Sequence, residues 1–334
     1  ADTNTAKAAA WFDYDGDGLL DLYVANAGGS FLSKDLVAYW KMEDDWNDSK
    51  GSLHLTAGAG ATFASGDKAG GTKAGNFANL DTGHASASAS GLPSGNGARS
   101  VSCWIKPGLN GCCGWHHYGG IVGWGVGGSG VGGTNTGFTI AWNDAKANFQ
   151  VDGSLNKAPH GHSTTLSEDG STWYHLVMTY DGTIVRWYLD GEADGTDTFP
   201  GGALNTASGG TVKIGKQLWN NAERYVGMID EVGIWSRTLT ATEVSKIYNS
   251  GNGLAYDATT DSFAGASGLN MLYRNKGDYA SFENAGIVGH AGGVLRDSFK
   301  IRLEQPLYGG LHRAKLVVGV GHRAHRIINA GHLA

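Results

Sequence analysis

The sequence predicts an all-β chain, an antiparallel β-sandwich closed by one short helix late in the chain. Three observations predict it: short runs with a period of two, Asp-Gly and Gly-rich turns between them, and a single convincing helix start. In the run Leu36 to Met42, residues Leu36, Ala38, Trp40 and Met42 fall on one face. Trp173–Tyr180 reads as a strand, and Thr183–Leu189 reads as its partner. Asp181-Gly182 between them predicts a two-residue type I′ hairpin, because that pair tolerates positive φ. Asp190-Gly191 turns the chain again. Thr240-Ala-Thr-Glu243 has the pattern of a capping box, in which side chain and backbone at the helix start satisfy each other. Val244, Ile247 and Tyr248 then share one face, and Gly251 ends the helix. At about two to three turns it is a lid on the sandwich.

Composition bounds the function. The chain has 334 residues, a formal charge of −6, 55 Gly and 5 Pro. Its glycines follow no triplet period, which excludes collagen. With 41% hydrophobic residues, including 11 Trp, 13 Tyr and 10 Phe, it can bury a core, so disorder throughout is excluded. Charged residues are 17%, against roughly 25% in soluble domains at large. The surface therefore leans on Gly, Ser, Thr and Asn, a habit of secreted proteins, and an extracellular location is expected. The stretch 107–143 lacks Asp, Glu, Lys and Arg but is too rich in Gly for a membrane helix, so no membrane insertion is expected. Lacking an initiator Met and a signal peptide, the chain reads as a mature or excised form. Cys103, Cys112 and Cys113 make no disulfide framework. They are buried thiols, or one bridge with a thiol left over; a vicinal Cys112–Cys113 bridge would be strained.

The first zone is dominated by Asp13-Tyr-Asp15-Gly-Asp17-Gly-Leu19-Leu-Asp21. Its carboxylates stand at loop positions 1, 3, 5 and 9, with Gly18 for the tight turn. A hard cation takes six to eight oxygens, and this spacing folds Asp13, Asp15, Asp17, Asp21 and the Leu19 carbonyl around one point. Calcium is the expected cofactor; the alternative is a solvated acidic turn. An EF-hand would need Glu at position 12, where Val24 stands in a strand.

With its flanks, the segment from Ala10 to Asn26 resembles the calcium loop of FG-GAP/VCBS repeats, the blades of integrin-α-type propellers. The segment from Asn270 to Asp278, with Phe282 and Gly286, looks like the downstream half of the same repeat. The resemblance implies one blade split by an inserted domain. The expected organisation is 1–33 as the first half-blade, 34–256 as the insert, 257–293 as the second half-blade and 294–334 as a basic tail that fits no part of the repeat. A lone blade cannot close a propeller, so its sheet edges must be covered or paired by other blades or neighbouring subunits.

The insert is similar to the laminin-G-like, concanavalin A-like jelly-roll family. The motifs are Ser102-Cys-Trp-Ile-Lys-Pro107, Trp173 to Gly182, Trp187-Tyr-Leu-Asp-Gly191, Val212-Lys-Ile-Gly215 and Gly227-Met-Ile-Asp-Glu-Val-Gly-Ile-Trp-Ser-Arg-Thr-Leu239. Asp230 alternates with Met228, Val232 and Ile234, so regular strand geometry places its carboxylate on an apolar face. A buried carboxylate needs hydrogen bonds or a cation. The resemblance implies a structural calcium site for some members, to which Asp230 and Glu43 would contribute. The alternative is a bulge that turns Asp230 outward, with Glu231 paired to Arg237.

The superfamily also includes glucanases with a Glu-x-Asp-x-x-Glu strand. The nearest string, Glu192-Ala-Asp194-Gly-Thr-Asp197, ends in Asp, and no Gly-x-Ser-x-Gly elbow occurs. No enzyme is expected, and a glycoside hydrolase is the third reading. His116-His117 and His160-Gly-His162 read as polar loop residues. The acidic chain, without a nucleic-acid-binding motif, argues against a nucleic-acid partner. The Gly-rich stretch 109–136 supplies the expected binding rim, with Trp115, Tyr118 and Trp124 placed to stack on sugar rings. Polysaccharide or glycoprotein glycans are the expected partners, and the function expected is a secreted, non-catalytic, calcium-binding adhesion or carbohydrate-binding module. The alternative is a self-assembling subunit of an extracellular filament or surface layer, completed by strand pairing with copies of itself.

Overall fold

The computed structural model describes residues 6–13, 16–26, 30–66, 68–108, 119–126, 137–143, 146–151, 163–198, 203–218, 223–263, 271–275, 281–287, 298–300, 315–320 and 323–329. The chain divides into two compact units, one of residues 32–266 and one of residues 1–31 with 267–334.

The larger unit is an antiparallel sandwich. One sheet runs, edge to edge, Glu192–Thr198, Ile184–Leu189, Tyr174–Tyr180, Arg99–Pro107, Gly227–Trp235, Lys73–Phe77 and Ala61–Ser65, with Leu36–Trp40 also paired to Gly227–Trp235. The other runs Lys146–Val151, Gly137–Asn143, Gly119–Gly125, Thr211–Ile214, Ala85–Ser88 and Thr56–Ala57. Alternation decides which side chains meet between them. Val101, Cys103 and Ile105 point inward from one central strand, and Leu176 and Met178 from its neighbour. Opposite stand Trp124, Phe138, Ile140, Val212 and Ile214. Trp40 and Trp187 complete the core from the flanks. Each indole or phenyl ring removed from water here contributes about 1.5–3 kcal/mol.

One charge sits inside that core. Arg99 is fully buried, and its guanidinium donates to the carbonyls of Gly95 and Gly97 and to the Thr206 hydroxyl. Its carbon lies 5.7, 5.4 and 5.9 Å from the rings of Trp124, Phe138 and Tyr180. Burial pulls its pKa down to about 10, still well above neutral pH. The ring faces offset part of the lost hydration.

The turns show how local chemistry selects geometry. Tyr180 pairs with Val185, so the first hairpin has a four-residue turn, Asp181–Ile184, in place of the expected two-residue one. The Asp181 carboxylate accepts the amides of Thr183 and Ile184 at 3.0 and 2.8 Å, an Asx-type turn in which Gly182 alone takes positive φ. The type I′ turn is at the second Asp-Gly: Leu189 pairs with Glu192 across Asp190 at φ +48° and Gly191 at φ +85°.

The helix Ala241–Tyr248 carries the expected capping box. The Thr240 hydroxyl accepts the Glu243 amide, and the Glu243 carboxylate accepts the Thr240 amide. Asn249, at φ +49°, takes the left-handed cap position ahead of Gly251. The domain also runs further than expected. Tyr256 and Phe263, on the paired segments Tyr256–Asp257 and Ser262–Phe263, pack their rings against Tyr39 at 5.2 and 5.4 Å, which moves the boundary from 256 to 266.

In the smaller unit, strands from both ends of the chain share one sheet in the order Ala6–Phe12, Asp21–Asn26, Met271–Asn275, Ser281–Ile287, Ser298–Lys300. Val24 pairs with Met271 and Leu22 with Tyr273. In the tail, Lys315–Val320 pairs with Arg323–Asn329. No helix among the described residues is long and apolar enough to cross a membrane.

Candidate functional site

The acidic loop joins the first two strands of the smaller unit. The Asp13 carboxylate folds it, accepting the amides of Gly16, Asp17 and Gly18 at 2.8, 3.1 and 2.9 Å. Asp17 accepts the amide of Leu19 at 2.8 Å. Gly16 and Gly18, at φ +75° and +86°, make the turns that bring these groups round. Asp21 is fully buried at the start of its strand, beside the open end of the loop. Asp15 lies outside the described residues.

In the larger unit a β-bulge resolves the Asp230 question. Pairing between Gly227–Trp235 and Arg99–Pro107 shifts register between Asp230 and Gly233, where Glu231 sits at φ +49°. The extra residue reverses the phase, so Ile229, Val232 and Ile234 face the inter-sheet core. Asp230 is on the opposite side, not on the apolar face that unbroken alternation implies. It remains fully buried and accepts the Lys68 amide at 2.9 Å. Glu43 accepts the amides of Thr72 and Lys73 at 2.9 and 3.2 Å. Both carboxylates thus fasten the segment 68–73, and no third acidic, His or Cys side chain joins them as a metal group among the described residues. Glu231 accepts the Tyr39 hydroxyl, while Arg237 forks onto Glu243 at 2.7 and 2.9 Å.

Trp124 is a correction. It belongs to the core and not to a binding rim: it is 1% exposed, its indole donates to the Pro93 carbonyl at 2.8 Å, and Phe138 meets it edge-on at 4.2 Å. Its strand alternates as core strands do, and the Gly-rich flanks masked that period. Trp115 and Tyr118 lie outside the described residues, as do Cys112, Cys113 and the histidines at 116, 117, 160 and 162. Cys103 is a buried free thiol, and burial pushes its pKa up to about 12.

The described part of the domain holds a cavity that sequence reading missed. It is open to solvent, measures about 460 Å³ and is lined by the apolar Phe77, Ala78, Val226 and Met228 and the polar Asn76, Asn79 and Lys106; the amides of Gly108 and Gly170 beside it are taken by the Val226 and Pro107 carbonyls. The Lys106 ammonium lies 5.3 Å from the centroid of the Trp173 ring. Outside the cavity, Asn79 accepts Arg224 at 3.0 Å, and Arg224 pairs with Asp81, whose carboxyl it holds below the usual range. The Lys216 ammonium donates to the Asp81 carbonyl at 2.8 Å. Of its lining only Lys106, Gly227 and Met228 fall in the motifs read from the sequence, on two separate strands that the fold alone brings together.

Residues 79–245, half of the chain, match the family described as the concanavalin A-like lectin/glucanases superfamily. The chain belongs to this superfamily. No curated protein matches the sequence. Among solved structures, the binding domain of Paraclostridial mosquitocidal protein 1 is similar at a TM-score of 0.51 and 14% identity, over 86% of this chain and 76% of that one. Domain 4 of AbnA, an extracellular arabinanase of Geobacillus stearothermophilus solved with arabinotriose, gives 0.47 and 20%, over 64% and 97%. The botulinum neurotoxin serotype D ligand-binding domain, solved with N-acetylneuraminic acid, gives 0.47 and 11%, over 87% and 72%. At such identities the likeness is one of fold.

Because the superfamily contains lectins and glucanases, its nucleophile and acid candidates need placing. Glu192 and Asp194 lie on the edge strand Glu192–Thr198, where Asp194 accepts the Thr164 amide and hydroxyl at 3.1 and 2.9 Å. Ser102 and His175 do pair, Oγ to Nε2 at 2.8 Å, but they are 2% and 0% exposed beneath Trp104 and Tyr248. Burial pulls the His175 pKa down to about 3, so the ring is neutral in ordinary buffers. The pair is packing; a substrate has no path to the hydroxyl.

Proposed function

We propose that this chain is a non-catalytic carbohydrate-binding module of an extracellular protein, with a calcium-binding loop in the smaller sheet that both ends of the chain build. The observation that carries the reading is the open cavity at Asn76, Asn79 and Lys106, beside Trp173. Amide side chains suit sugar hydroxyls, and Phe77, Val226 and Met228 supply an apolar wall. Glycoside hydrolysis needs two carboxyl groups about 5–9 Å apart, and the described lining of the cavity offers amides and an ammonium instead. The mosquitocidal-protein relative that shares the fold is itself a binding domain.

Calcium belongs to the same proposal. Asp13, Asp15, Asp17, Asp21 and the Leu19 carbonyl offer oxygen alone, which suits a hard cation, and the curl of the loop around Asp13 supports that fit. The pairing of Asp21–Asn26 with Met271–Asn275 supports a split FG-GAP-type blade. The test is a screen of the full chain against immobilised glycans in millimolar calcium. Binding to at least one class, weakened by Asn76→Ala, is expected; binding to none overturns the module.

A second reading has its own observation. The strand Ala6–Phe12 is an edge of the five-stranded sheet, and Trp11 and Phe12 stand 44% and 40% exposed on it. Exposed apolar edges invite pairing with a second chain. Calcium-dependent polymers in light scattering, lost on chelation, would make the protein a subunit of an extracellular assembly.

A further inference from the structure

The cavity is one part of a longer row of side chains. Thr62 pairs with Asn76, Asn76 with Met228, and Met228 with Lys106, each on a neighbouring strand of one sheet. Trp173, next to Tyr174 opposite Ile105, continues the row and lays its ring 5.3 Å from the Lys106 ammonium. The chain neighbours Ala61, Ile105 and Ile229 belong to the core, so alternation turns this row to the outer face of the sheet. All five side chains are at least partly open to solvent. Among the described residues, no hydrogen bond or ion pair engages the Thr62 hydroxyl, the Asn76 amide or the Lys106 ammonium.

The surroundings make the row a groove. On one side a Cβ at Gly66 would lie 3.7 Å from Lys106 Nζ and 3.8 Å from Met228 Sδ, so the main chain leading into the segment 68–73 borders it closely. On the other stand Ala78, Val226 and Gly108, two residues on from Asn76, Met228 and Lys106 and all without polar side chains. Both ends are open. Thr62 sits exposed on the edge strand Ala61–Ser65. At the far end Leu176 pairs with Leu189, so Trp173 already lies past the Asp190-Gly191 turn of the next strand. At ~4.8 Å between neighbouring strands the row extends about 19 Å, room for roughly four pyranose rings in an extended chain. Lys106 is the one ionising side chain of the lining, and Glu168 and Asp169 lead into Gly170 at its rim, so charge gives the groove no positive excess.

We propose that this groove holds an internal stretch of a neutral, ribbon-like polysaccharide laid across the strands from Thr62 to Trp173. This rests on the carbohydrate-binding reading and narrows it to extended chains gripped along their length. A pyranose ring has apolar faces and a rim of hydroxyls. Met228 and Trp173 supply apolar surface for the faces, while Thr62, Asn76 and Lys106 supply donors and acceptors for the rim. A curled chain would leave a straight row after a ring or two, and a site for chain ends would be closed at one end. A peptide gains nothing comparable, because a strand adds along a free sheet edge, whereas this row crosses paired strands and the Gly108 and Gly170 amides beside it are taken.

The test is calorimetric titration of the full chain with cello-, manno- and xylo-oligosaccharides from disaccharide to hexasaccharide, and with malto-oligosaccharides as the curled series. At least one ribbon series should bind, with affinity rising ring by ring until the row is covered and then levelling off. Reducing the end sugar of the hexasaccharide to its alditol should leave binding unchanged. Thr62→Val and Lys106→Gln, at opposite parts of the row, should each weaken the hexasaccharide about fivefold to tenfold, the scale of one lost hydrogen bond. Unchanged melting temperatures confirm that both variants fold. A disaccharide bound as tightly as the hexasaccharide, loss of binding in the alditol, preference for the malto series, or a hexasaccharide unmoved by either variant overturns the inference. So does binding confined to other glycans of the immobilised screen, which leaves the module intact; failure of every glycan in both experiments overturns the module as well.

Discussion

The hydroxyl of Tyr39 donates to the carboxylate of Glu231, a residue held at φ +49° in the middle of a strand. Leu36–Trp40 and Gly227–Trp235 pair directly, with Tyr39 opposite Gly233, so this bond closes over the bulge that turns Asp230 away from the core. A left-handed non-Gly residue costs roughly 1–2 kcal/mol, and Glu231 is only 5% exposed. Tyr39→Phe should therefore lower unfolding stability by about 1–3 kcal/mol, because it removes a partner from a buried acidic side chain. Denaturant melts check it; an unchanged midpoint would mean that the bond contributes nothing to holding the bulge.

His175 gives the domain a pH dependence. Its folded pKa, pulled down to about 3 by burial, lies below the ordinary value of 6.5. Between those values the unfolded chain holds the extra proton, so stability falls as pH drops below about 6.5. The loss approaches about 1.4 kcal/mol per pH unit in the middle of that window. His175→Gln should flatten this slope by close to one proton while keeping an amide to meet Ser102. Chemical melts of both proteins at a series of pH values measure the difference, and parallel slopes would sink the assignment.

The alternation of apolar residues made the sandwich legible, and the Thr240–Glu243 box made its helix legible almost to the residue. Three features were not. The bulge at Glu231 has no local signature, since Asp230-Glu231 in an alternating strand reads as regular until the partner strand forces the extra residue out. The I′ turn went to the wrong Asp-Gly because Asp181 could satisfy two amides with its own side chain, a choice that depends on Thr183 and Ile184. Trp124 looked like a rim aromatic because its neighbours are Gly, yet those glycines let strands approach: a Cβ at Gly123 would meet the Phe138 carbonyl oxygen at 2.5 Å. The cavity was invisible for a different reason, since its residues come from 76–79, 106–108, 170 and 226–228.

Cys103 should be inert in the folded protein. At 1% exposure, and with its pKa pushed up to about 12, it forms no thiolate near neutral pH. Alkylation with iodoacetamide at about pH 8, near the free-thiol pKa, followed by peptide mapping, should leave Cys103 unmodified in native buffer and label it fully in denaturant. Native labelling would mean that the core opens more readily than its packing implies.

Arg99 should resist the usual conservative exchange. Its three nitrogens reach three acceptors in fixed directions, and its flat cation lies among three rings. An ammonium cannot reproduce that fork and is more strongly hydrated, so its burial costs more. Arg99→Lys should destabilise the larger unit by about 3 kcal/mol or more. Denaturation followed by tryptophan fluorescence, with Trp124 beside the site, reads this directly. A loss under about 0.5 kcal/mol, the range of ordinary surface changes, would show that the rings and carbonyls hold any cation equally well.

The acidic loop separates two roles that a metal site often merges. Asp13 folds the loop through three amides, whereas Asp21 is fully buried at the strand start. If calcium binds among them, it stabilises the smaller unit by mass action, about 2.7 kcal/mol when free calcium is a hundredfold above its dissociation constant. Asp17→Ala should abolish that gain and, because Asp17 accepts the Leu19 amide where Asp13 accepts three, lower calcium-free stability less than loss of Asp13 does. Asp13→Ala should abolish it too and also lower calcium-free stability by about 1 kcal/mol or more, because three amides lose their acceptor. Melting curves of the wild type and both variants, in millimolar calcium and in chelator, separate the two roles. A wild-type protein that melts identically in both buffers would show that the loop is held by its own amides and carries no calcium.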